Sequence, residues 1–173
     1  DICKYDKGWQ VSTEESYHRK VLATHLRECE LFAGVDDNTL QYVADNTLFE
    51  TYGSYDWHIS YKQKKAKGTK EKELVLSEQG DHPDGMILIV SGMARVSAKL
   101  GNGLRTITYL RAGESHGLSE LYEGWQTNAI VPKKTTLSVL GYAHILRVPT
   151  HVIEKIIFPD LTLPPKPYET SNE

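Results

Sequence analysis

The 173-residue sequence contains only two cysteines, Cys3 and Cys29. One lies near the N-terminus and the other in a predicted helix, so the pair forms neither a disulfide framework nor the ligand spacing of a structural zinc site. Such sparse cysteine usage favours a reducing compartment, and we expect a cytoplasmic location.

Long apolar runs are also missing, because no stretch approaches the roughly 18 apolar residues that a membrane-spanning helix needs. The net charge is −3, and the lysines and arginines do not form a stripe along one helix face. Binding to a nucleic-acid backbone requires such a stripe to neutralise phosphates. The sequence therefore predicts no membrane insertion by this chain and no nucleic-acid partner.

Motifs for metal-dependent or nucleophilic catalysis are absent too. A metal site of the cupin type needs a His-X-His pair with a nearby Glu, so that alternate side chains of a strand point into one barrel. The histidines at positions 58, 82, 116, 144 and 151 are all isolated. Serine-nucleophile elbows, Walker loops and zincin motifs are likewise missing. We expect a protein that is not an enzyme and has neither a metal nor a cofactor.

Two amphipathic helices are predicted in the N-terminal part of the chain. Ser12 and Glu15 have the spacing of a capping box, and apolar residues recur at helical spacing from there to Cys29. The following "LFAGVDDNTLQYVADN" predicts a shorter helix with Asp37 and Asn38 as capping candidates. The predicted buried face of this second helix consists of Leu40, Val43 and Ala44.

From Leu48 to Val148 the pattern changes to short apolar or alternating runs, which predict many strands and hence a barrel or sandwich. "GNG" at 101–103 predicts a tight hairpin, because glycine adopts the positive φ that such turns require. "SG" at 91–92 predicts a second reversal of the chain. The lysine-rich "YKQKKAKGTKEKE" predicts a solvated loop rather than a binding patch.

The C-terminal part predicts a short helix and an extended tail. "PTHVIEKII" has the pattern of one or two helical turns, with Thr150 as a capping candidate and Pro159 as the end. The proline-rich "DLTLPPKPYETSNE" then favours an extended conformation.

The order of these segments resembles the cyclic-nucleotide-binding domain, which occurs in catabolite-activator-type transcription factors, protein kinase A regulatory subunits and nucleotide-gated channels. The resemblance rests on "LFAGVDDNTLQYVA", "EQGDHPDGMILIVSGMARVS", "LRTITYLRAGESHGLSELY" and "TTLSVLGYAHILRVPTHVIEKI". It implies a mainly β fold with flanking helices, namely an antiparallel double-stranded β-helix (a jelly-roll-like β-roll) with an N-terminal helical bundle and a short C-terminal helix. We expect a single domain overall: an N-terminal extension and helices at 1–47, the β-roll at 48–149, a short helix at 150–158 and a Pro-rich tail at 159–173.

In that family the segment after "AG" is a single helical turn whose free amides face the cyclic phosphate. The first amides of a helix have no intrahelical partners, and the helix dipole adds positive charge there. "GESHGLSEL" at 113–121 falls at this position. It departs from the family's Phe-Gly-Glu, because Leu118 follows Gly117 and the nearest acid is Glu120. Lys133 aligns with the family's phosphate-pairing Arg and keeps the charge without the planar fork.

The resemblance therefore implies a regulatory or sensor domain that binds a cyclic nucleotide, cAMP or cGMP, or a similar small anionic ligand in an atypical pocket. The flanking helices Ser12–Cys29 and Thr150–Ile157 would transmit the signal, and no long lid helix continues past Pro159. Trp125 or Tyr168 would either stack on a base or serve in packing. A second interpretation stays open: a nucleotide-free interaction or oligomerisation module. Other domains of a larger chain or a protein partner are expected. The predicted ligand contacts are Gly117, Leu118, Ser119, Glu120, Lys133, Lys134 and Thr135.

Overall fold

The structure is a computed structural model that describes residues 20–53, 73–161 and 165. Several predicted features lie outside these residues: the capping box at Ser12 and Glu15, the strand "WHIS", the lysine-rich loop and the tail with Tyr168. The chain divides into two compact units, Asp1–Thr47 and Leu48–Glu173.

The first unit is helical. Helix α1 includes residues 20–28, a 3-10 turn follows at Glu30–Phe32, and helix α2 spans Asp37–Asn46. Leu22, Leu26 and Cys29, which recur at the helical spacing noted in the sequence, are buried. The predicted face of α2 is confirmed, since Leu40, Val43 and Ala44 are buried as well.

The cap of α2 is Asp36, so the prediction of Asp37 or Asn38 was wrong by one residue or two. Asp36 has an extended backbone, and its carboxylate accepts hydrogen bonds from the amide of Thr39 at 3.1 Å and from its hydroxyl at 2.6 Å. The Thr39 hydroxyl, and then its amide, lower the pKa of Asp36. Asp37 cannot serve as the cap because it is already the first helical residue.

The second unit contains a six-stranded antiparallel sheet. The strands pair in the order β1-β6-β3-β4, with β2 added to β6 and β5 added to β3. No pairing between the described strands β1 and β4 closes the sheet. The strands are β1 Leu48–Tyr52, β2 Leu74–Ser77, β3 Gly85–Leu100, β4 Gly103–Leu110, β5 Ser115–His116 and β6 Thr136–Pro149.

The predicted reversal at Ser91 and Gly92 is wrong, because β3 continues through both residues. Gly92 has a φ of 89°, and the pairing with β6 shifts register on either side of it. A Cβ at this position would lie 2.2 Å from the carbonyl oxygen of Tyr142. The positive φ that the glycine permits is therefore used in a bulge that bends a long strand, rather than in a turn.

The hairpin predicted at "GNG" is confirmed, since β3 and β4 meet there with Leu100 opposite Gly103. Gly101 has the positive φ, 59°, that the turn requires. The sheet encloses an apolar core formed by Ile87, Ile89, Ala94, Val96, Leu110, Leu137, Val139, Ala143 and Ile145.

A helical segment follows β6, as predicted, but its ends differ. It consists of an α-helical turn at Thr150–Val152 (α4), a π-helical turn at Ile153–Ile157 and a 3-10 turn at Phe158–Asp160. Thr150 is the first helical residue rather than a cap. Pro159 lies inside the last turn, where the first positions of a helix need no amide donor. No helix in the described part of the chain is long and apolar enough to cross a bilayer.

Candidate functional site

The anion site was predicted at the corner between β5 and the next helix, α3 (Leu118–Thr127). β5 pairs with β3, which places His116 beside Ile87. Gly117 then turns the chain with a φ of 94°, and a Cβ there would lie 3.2 Å from the carbonyl oxygen of Gly85. No side chain caps the helix at Gly117. The first amides of α3 therefore have neither an intrahelical partner nor a side-chain cap.

Helix α3 is longer than the single turn expected from the resemblance. It has ten residues and ends at Asn128, which takes the left-handed conformation with φ 52° and ψ 41°. The amide of Ala129 donates to the carbonyl of Gly124 at 3.1 Å and closes the C-terminus. Residues 123–127 thus extend the helix by more than one turn, and a loop from Asn128 leads to β6.

The structure brings together the two groups of predicted contacts. The ring nitrogen Nε2 of His116 and the hydroxyl of Thr135 are 2.8 Å apart in a buried hydrogen bond. One carboxylate oxygen of Glu120 accepts from the amide of Lys134 at 3.1 Å. The start of α3 and the chain entering β6 are therefore neighbours, although they are distant in sequence.

Lys133 points inward, with only 6% of its side chain exposed. Its ammonium donates to Asp84 Oδ1 at 2.9 Å. The backbone is held on both sides, because the amide donates to the carbonyl of Asp81 at 2.9 Å and the carbonyl accepts from the amide of Gly80 at 2.8 Å. Lys133 is thus a buried, paired cation, and the next residue, Lys134, connects its segment to Glu120 of α3.

Sequence reasoning missed Asp84 as the partner of this lysine. Burial on its own raises the pKa of Asp84, but the hydrogen bond and charge of Lys133, with help from Arg147, outweigh it and hold the pKa below its ordinary value. Arg147 lies 3.6 Å from Asp84 Oδ2 and 3.2 Å from Glu50 Oε2. An arginine in the otherwise apolar run "HILRV" was the available signal for this network.

Glu120 is buried, with 2% exposed. Its second carboxylate oxygen accepts from the hydroxyl of Ser119 at 2.9 Å. The side chain of Lys134 lies outside this arrangement, half-exposed and paired with Glu123 at 2.6 Å. Two predicted ligand contacts, Ser119 and Glu120, therefore bond to each other, and a third, Lys134, contributes its backbone to the corner.

His116 is neutral at physiological pH. Burial lowers its pKa to about 4; the charge of Lys133 acts in the same direction and that of Glu120 opposes it. A neutral imidazole has one donor and one acceptor nitrogen, and the hydrogen bond to Thr135 uses Nε2. His116 therefore joins the two halves of the corner without adding charge to it.

A cavity of about 550 Å³ lies along α3, and Glu120 and Trp125 both line it. The indole of Trp125 is 41% exposed and packs at 5.4 Å from the ring of Phe158 and 5.9 Å from that of Tyr122. The remaining lining residues are His82, Pro83, Leu121, Gly124, Asn128, Ala129, Ile130, Val131, Thr150 and Glu154. Over the described ranges no cluster of three His, Cys, Asp or Glu side chains has a metal-binding arrangement.

The antiparallel sheet with a helix that begins at its corner is the arrangement of a β-roll domain. A family model described as "Cyclic nucleotide-binding domain" matches residues 69–158, more than half of the chain. The chain belongs to the cyclic nucleotide-binding domain family. This family is one of regulatory ligand-binding domains, so the resemblance read from the sequence is confirmed.

Solved structures with the same fold include regulatory subunits of protein kinase A. The regulatory domain from Toxoplasma gondii in complex with cAMP has a TM-score of 0.63 and 14% identity, over 82% of this chain and 46% of that chain. The regulatory subunit of a cAMP-independent protein kinase A from Trypanosoma cruzi, bound to guanosine, has a TM-score of 0.62 and 12% identity, over 83% of this chain and 42% of that chain. A mutant of the corresponding regulatory subunit from Trypanosoma brucei, bound to cAMP in the A site, has a TM-score of 0.61 and 11% identity, over 83% of this chain and 44% of that chain.

This chain therefore spans less than half the length of each of these three structures. The likeness establishes the fold, so the predicted β-roll with flanking helices is confirmed, with a sheet that stays open. No curated protein matches the sequence.

Proposed function

We propose that this chain is a regulatory module that binds a small ligand with a base and a ribose, a cyclic nucleotide or a related molecule, at the β5–α3 corner. The observation that carries the proposal is that the uncapped first turn of α3 meets the segment containing the buried Lys133, through the bond from the amide of Lys134 to Glu120. Free helix amides and a fixed cation are the groups that hold the polar part of a nucleotide. The solved relatives bound to cAMP or to guanosine support this ligand class.

The pocket is atypical at two positions. The side chain of Leu118, half-buried at the start of α3, offers no hydrogen bond where the family pattern has an acid for the ribose. Lys133 offers a compact ammonium where the family has a planar guanidinium, and this ammonium is already paired with Asp84. Gly117, Ser119, Glu120, Lys134 and Thr135 stay proposed contacts, because their backbone or side-chain polar groups lie at the same corner.

Helix α3 offers a physical route from the ligand to the C-terminal segment. The rings of Tyr122 and Trp125 pack against Phe158 at 5.3 and 5.4 Å. A displacement of the first turn of α3 would therefore act on the segment that begins at Thr150. Regulation requires that the ligand bind two arrangements of α3 with different affinity, since only differential affinity shifts a population.

Ligand-induced thermal stabilisation tests the proposal. The purified chain is heated with cAMP, cGMP, adenosine or guanosine, and a ligand at a hundredfold excess over its Kd should stabilise the fold by about 2.7 kcal/mol. Lys133→Ala should remove most of the stabilisation by any cyclic nucleotide. Lys99→Ala removes the same charge from a side chain that is 59% exposed on β3, and should leave the shift unchanged.

Lys133→Arg provides the complementary gain of function. The guanidinium can contact Asp84 and a phosphate with separate N–H groups, so the affinity for cAMP should rise about tenfold, which is about 1.4 kcal/mol. Isothermal titration calorimetry on both proteins measures this change. A cAMP affinity that falls, or a Lys133→Ala variant that keeps its full response, would mean that Lys133 does not face the phosphate.

The interaction module without a nucleotide remains the second candidate, and the charge pairing at the corner favours it. Lys133 already has Asp84, and Glu120 already has the amide of Lys134 and the hydroxyl of Ser119. A site complete in itself needs no ligand. The absence of any thermal shift with all four compounds, in the wild type and in Lys133→Arg, would leave this candidate in place.

A further inference from the structure

Glu120 stands apart from the other acids of the described ranges, because it alone among them is buried, with 2% exposed. A buried carboxylate is unfavourable unless hydrogen bonds or a cation compensate for its lost hydration. The compensation comes from the corner itself: the amide of Lys134 at 3.1 Å and the hydroxyl of Ser119 at 2.9 Å. The charge of Lys133 lies in the same surroundings, since Lys133 and Glu120 both act on the pKa of His116.

The Glu120 carboxylate lies at the junction of the two segments that form the proposed site. It belongs to the first turn of α3, whose amides are proposed to face the ligand, and it reaches the backbone amide of a residue on the opposite side of the corner. A carboxylate resembles one face of a phosphate, with two anionic oxygens that accept from N–H and O–H donors. Glu120 thus places an anionic group of the protein at this corner, bonded to the amide of Lys134 and the hydroxyl of Ser119.

We propose that the Glu120 carboxylate takes the place of the ligand phosphate, so that the site selects an uncharged, ribonucleoside-type ligand over a cyclic nucleotide. This inference rests on the proposed function, because it assumes that the corner is the ligand site, and it specifies the class of ligand.

The charge balance of the corner supports this selectivity. Lys133 is paired with Asp84 at 2.9 Å, and Lys134 is paired with Glu123 at 2.6 Å. A phosphate that entered would lie beside the buried carboxylate of Glu120, while the nearest cation is shared with another acid. Two negative charges close together in a poorly hydrated place repel each other, so the phosphate would bind weakly.

The same carboxylate suits a nucleoside. An ionised carboxylate only accepts hydrogen bonds, and ribose hydroxyls are donors. The bond from Ser119 shows that one oxygen of Glu120 is placed to accept from a hydroxyl group. Glu120 also lines the cavity of about 550 Å³, whose volume lies in the range of small-molecule pockets. The partly exposed indole of Trp125 in the same lining offers an aromatic surface to a base.

Calorimetry on three proteins tests the inference. The dissociation constants of adenosine, guanosine, cAMP and cGMP are measured for the wild type, for Glu120→Gln and for Glu123→Gln. Glutamine keeps the size of the side chain and an oxygen for the amide of Lys134 while it removes the charge. Glu123→Gln removes an equal charge from a half-exposed side chain on the same helix. Circular dichroism verifies that each variant is folded.

The readout is the ratio of the dissociation constant of cAMP to that of adenosine, which a merely structural effect on the corner would leave constant. We expect adenosine or guanosine to bind the wild type more tightly than its cyclic counterpart. Glu120→Gln should lower the ratio about tenfold or more, corresponding to about 1.4 kcal/mol, whereas Glu123→Gln should change it less than about twofold. A variant that gains cAMP binding absent from the wild type also supports the inference.

The contrary outcomes are distinguishable. Preferential binding of cAMP by the wild type, an unchanged ratio in Glu120→Gln, or loss of all four ligands in that variant would overturn the inference and leave the proposed function standing. If none of the four compounds binds the wild type, Glu120→Gln or the fully truncated Glu120→Ala, the proposed function fails as well. Glu120→Ala is included because the amide group of glutamine could itself block a phosphate, whereas the truncated side chain leaves the space open.

Discussion

Replacement of His116 by glutamine should flatten the dependence of stability on pH. The His116 imidazole is 2% exposed, and burial lowers its pKa from 6.5 to about 4. A group whose pKa is lowered on folding binds fewer protons in the folded state than in the unfolded state. The folded domain therefore has its full stability above pH 6.5 and loses this contribution as the pH falls from about 6.5 to about 4.

The size of the loss follows from the shift. Each pKa unit corresponds to about 1.4 kcal/mol, so the difference between 6.5 and about 4 corresponds to about 3 kcal/mol when protonation is complete. At pH 5 the unfolded chain is already protonated while the folded one is not, and the loss is about 2 kcal/mol. The two charged groups that face His116 oppose each other: Lys133 lowers its pKa and Glu120 raises it.

Urea denaturation followed by circular dichroism at pH 7, 6 and 5 measures this difference. His116→Gln should be less stable than the wild type at pH 7 because a buried ring is lost, yet it should lose about 2 kcal/mol less between pH 7 and pH 5. His151→Gln, at an exposed position, is the matched control and should follow the wild type. Acids such as Asp84 titrate in all three proteins, so their contributions to the pH dependence of stability cancel in the comparison. Parallel curves for the wild type and His116→Gln would refute the reasoning.

Two predictions concern the fold. Gly92→Ala should destabilise the protein by at least about 1–3 kcal/mol, because the positive φ and the carbonyl oxygen 2.2 Å from the new Cβ leave no relaxed conformation. Its control is Gly103→Ala, where a Cβ meets nothing within 4 Å, and its free energy of unfolding should stay within about 0.5 kcal/mol of the wild type. Equal losses would show that Gly92 is not a bulge. Phe158→Ala should cost about 3–5 kcal/mol, since the ring is 2% exposed and packs on two aromatic rings. Ile130→Ala, at a position that is 70% exposed, is its control. The midpoints of urea denaturation measure the stability of all four variants. A small loss of stability in Phe158→Ala would remove the proposed route through α3.

Local patterns of the sequence were sufficient for most elements of the fold. The alternating runs predicted the strands, and "GNG" predicted the hairpin because a two-strand turn depends on neighbouring residues alone. The helical turn that follows Gly117 was predicted through the family resemblance rather than from a local pattern. The reversal at Ser91 and Gly92 was wrong because a glycine with positive φ serves a turn and a bulge equally well. Only the pairing with a strand some fifty residues away decides between them.

The site was less predictable, because its contacts join distant residues. The sequence placed Lys133 beside the start of α3 through resemblance, yet nothing near Lys133 in the chain indicated Asp84, its partner. The burial of Glu120 was likewise hidden. An acid in the first turn of a helix is ordinarily a solvated group that favours the helix dipole. Its burial depends on the backbone amide of Lys134, which arrives from the other side of the corner.

The difference between Lys133 and Glu120 suggests which of them decides ligand choice. Lys133 is held by an ion pair and by two backbone hydrogen bonds, one from its amide and one to its carbonyl, so it can move little when a ligand arrives. Glu120 is held by one amide and by one hydroxyl of its own helix, and an incoming hydroxyl could replace the bond from Ser119 without loss of a hydrogen bond. The acid can exchange partners while the cation cannot. Discrimination between a charged and an uncharged ligand should therefore follow the residue at position 120 more closely than the choice of lysine or arginine at position 133.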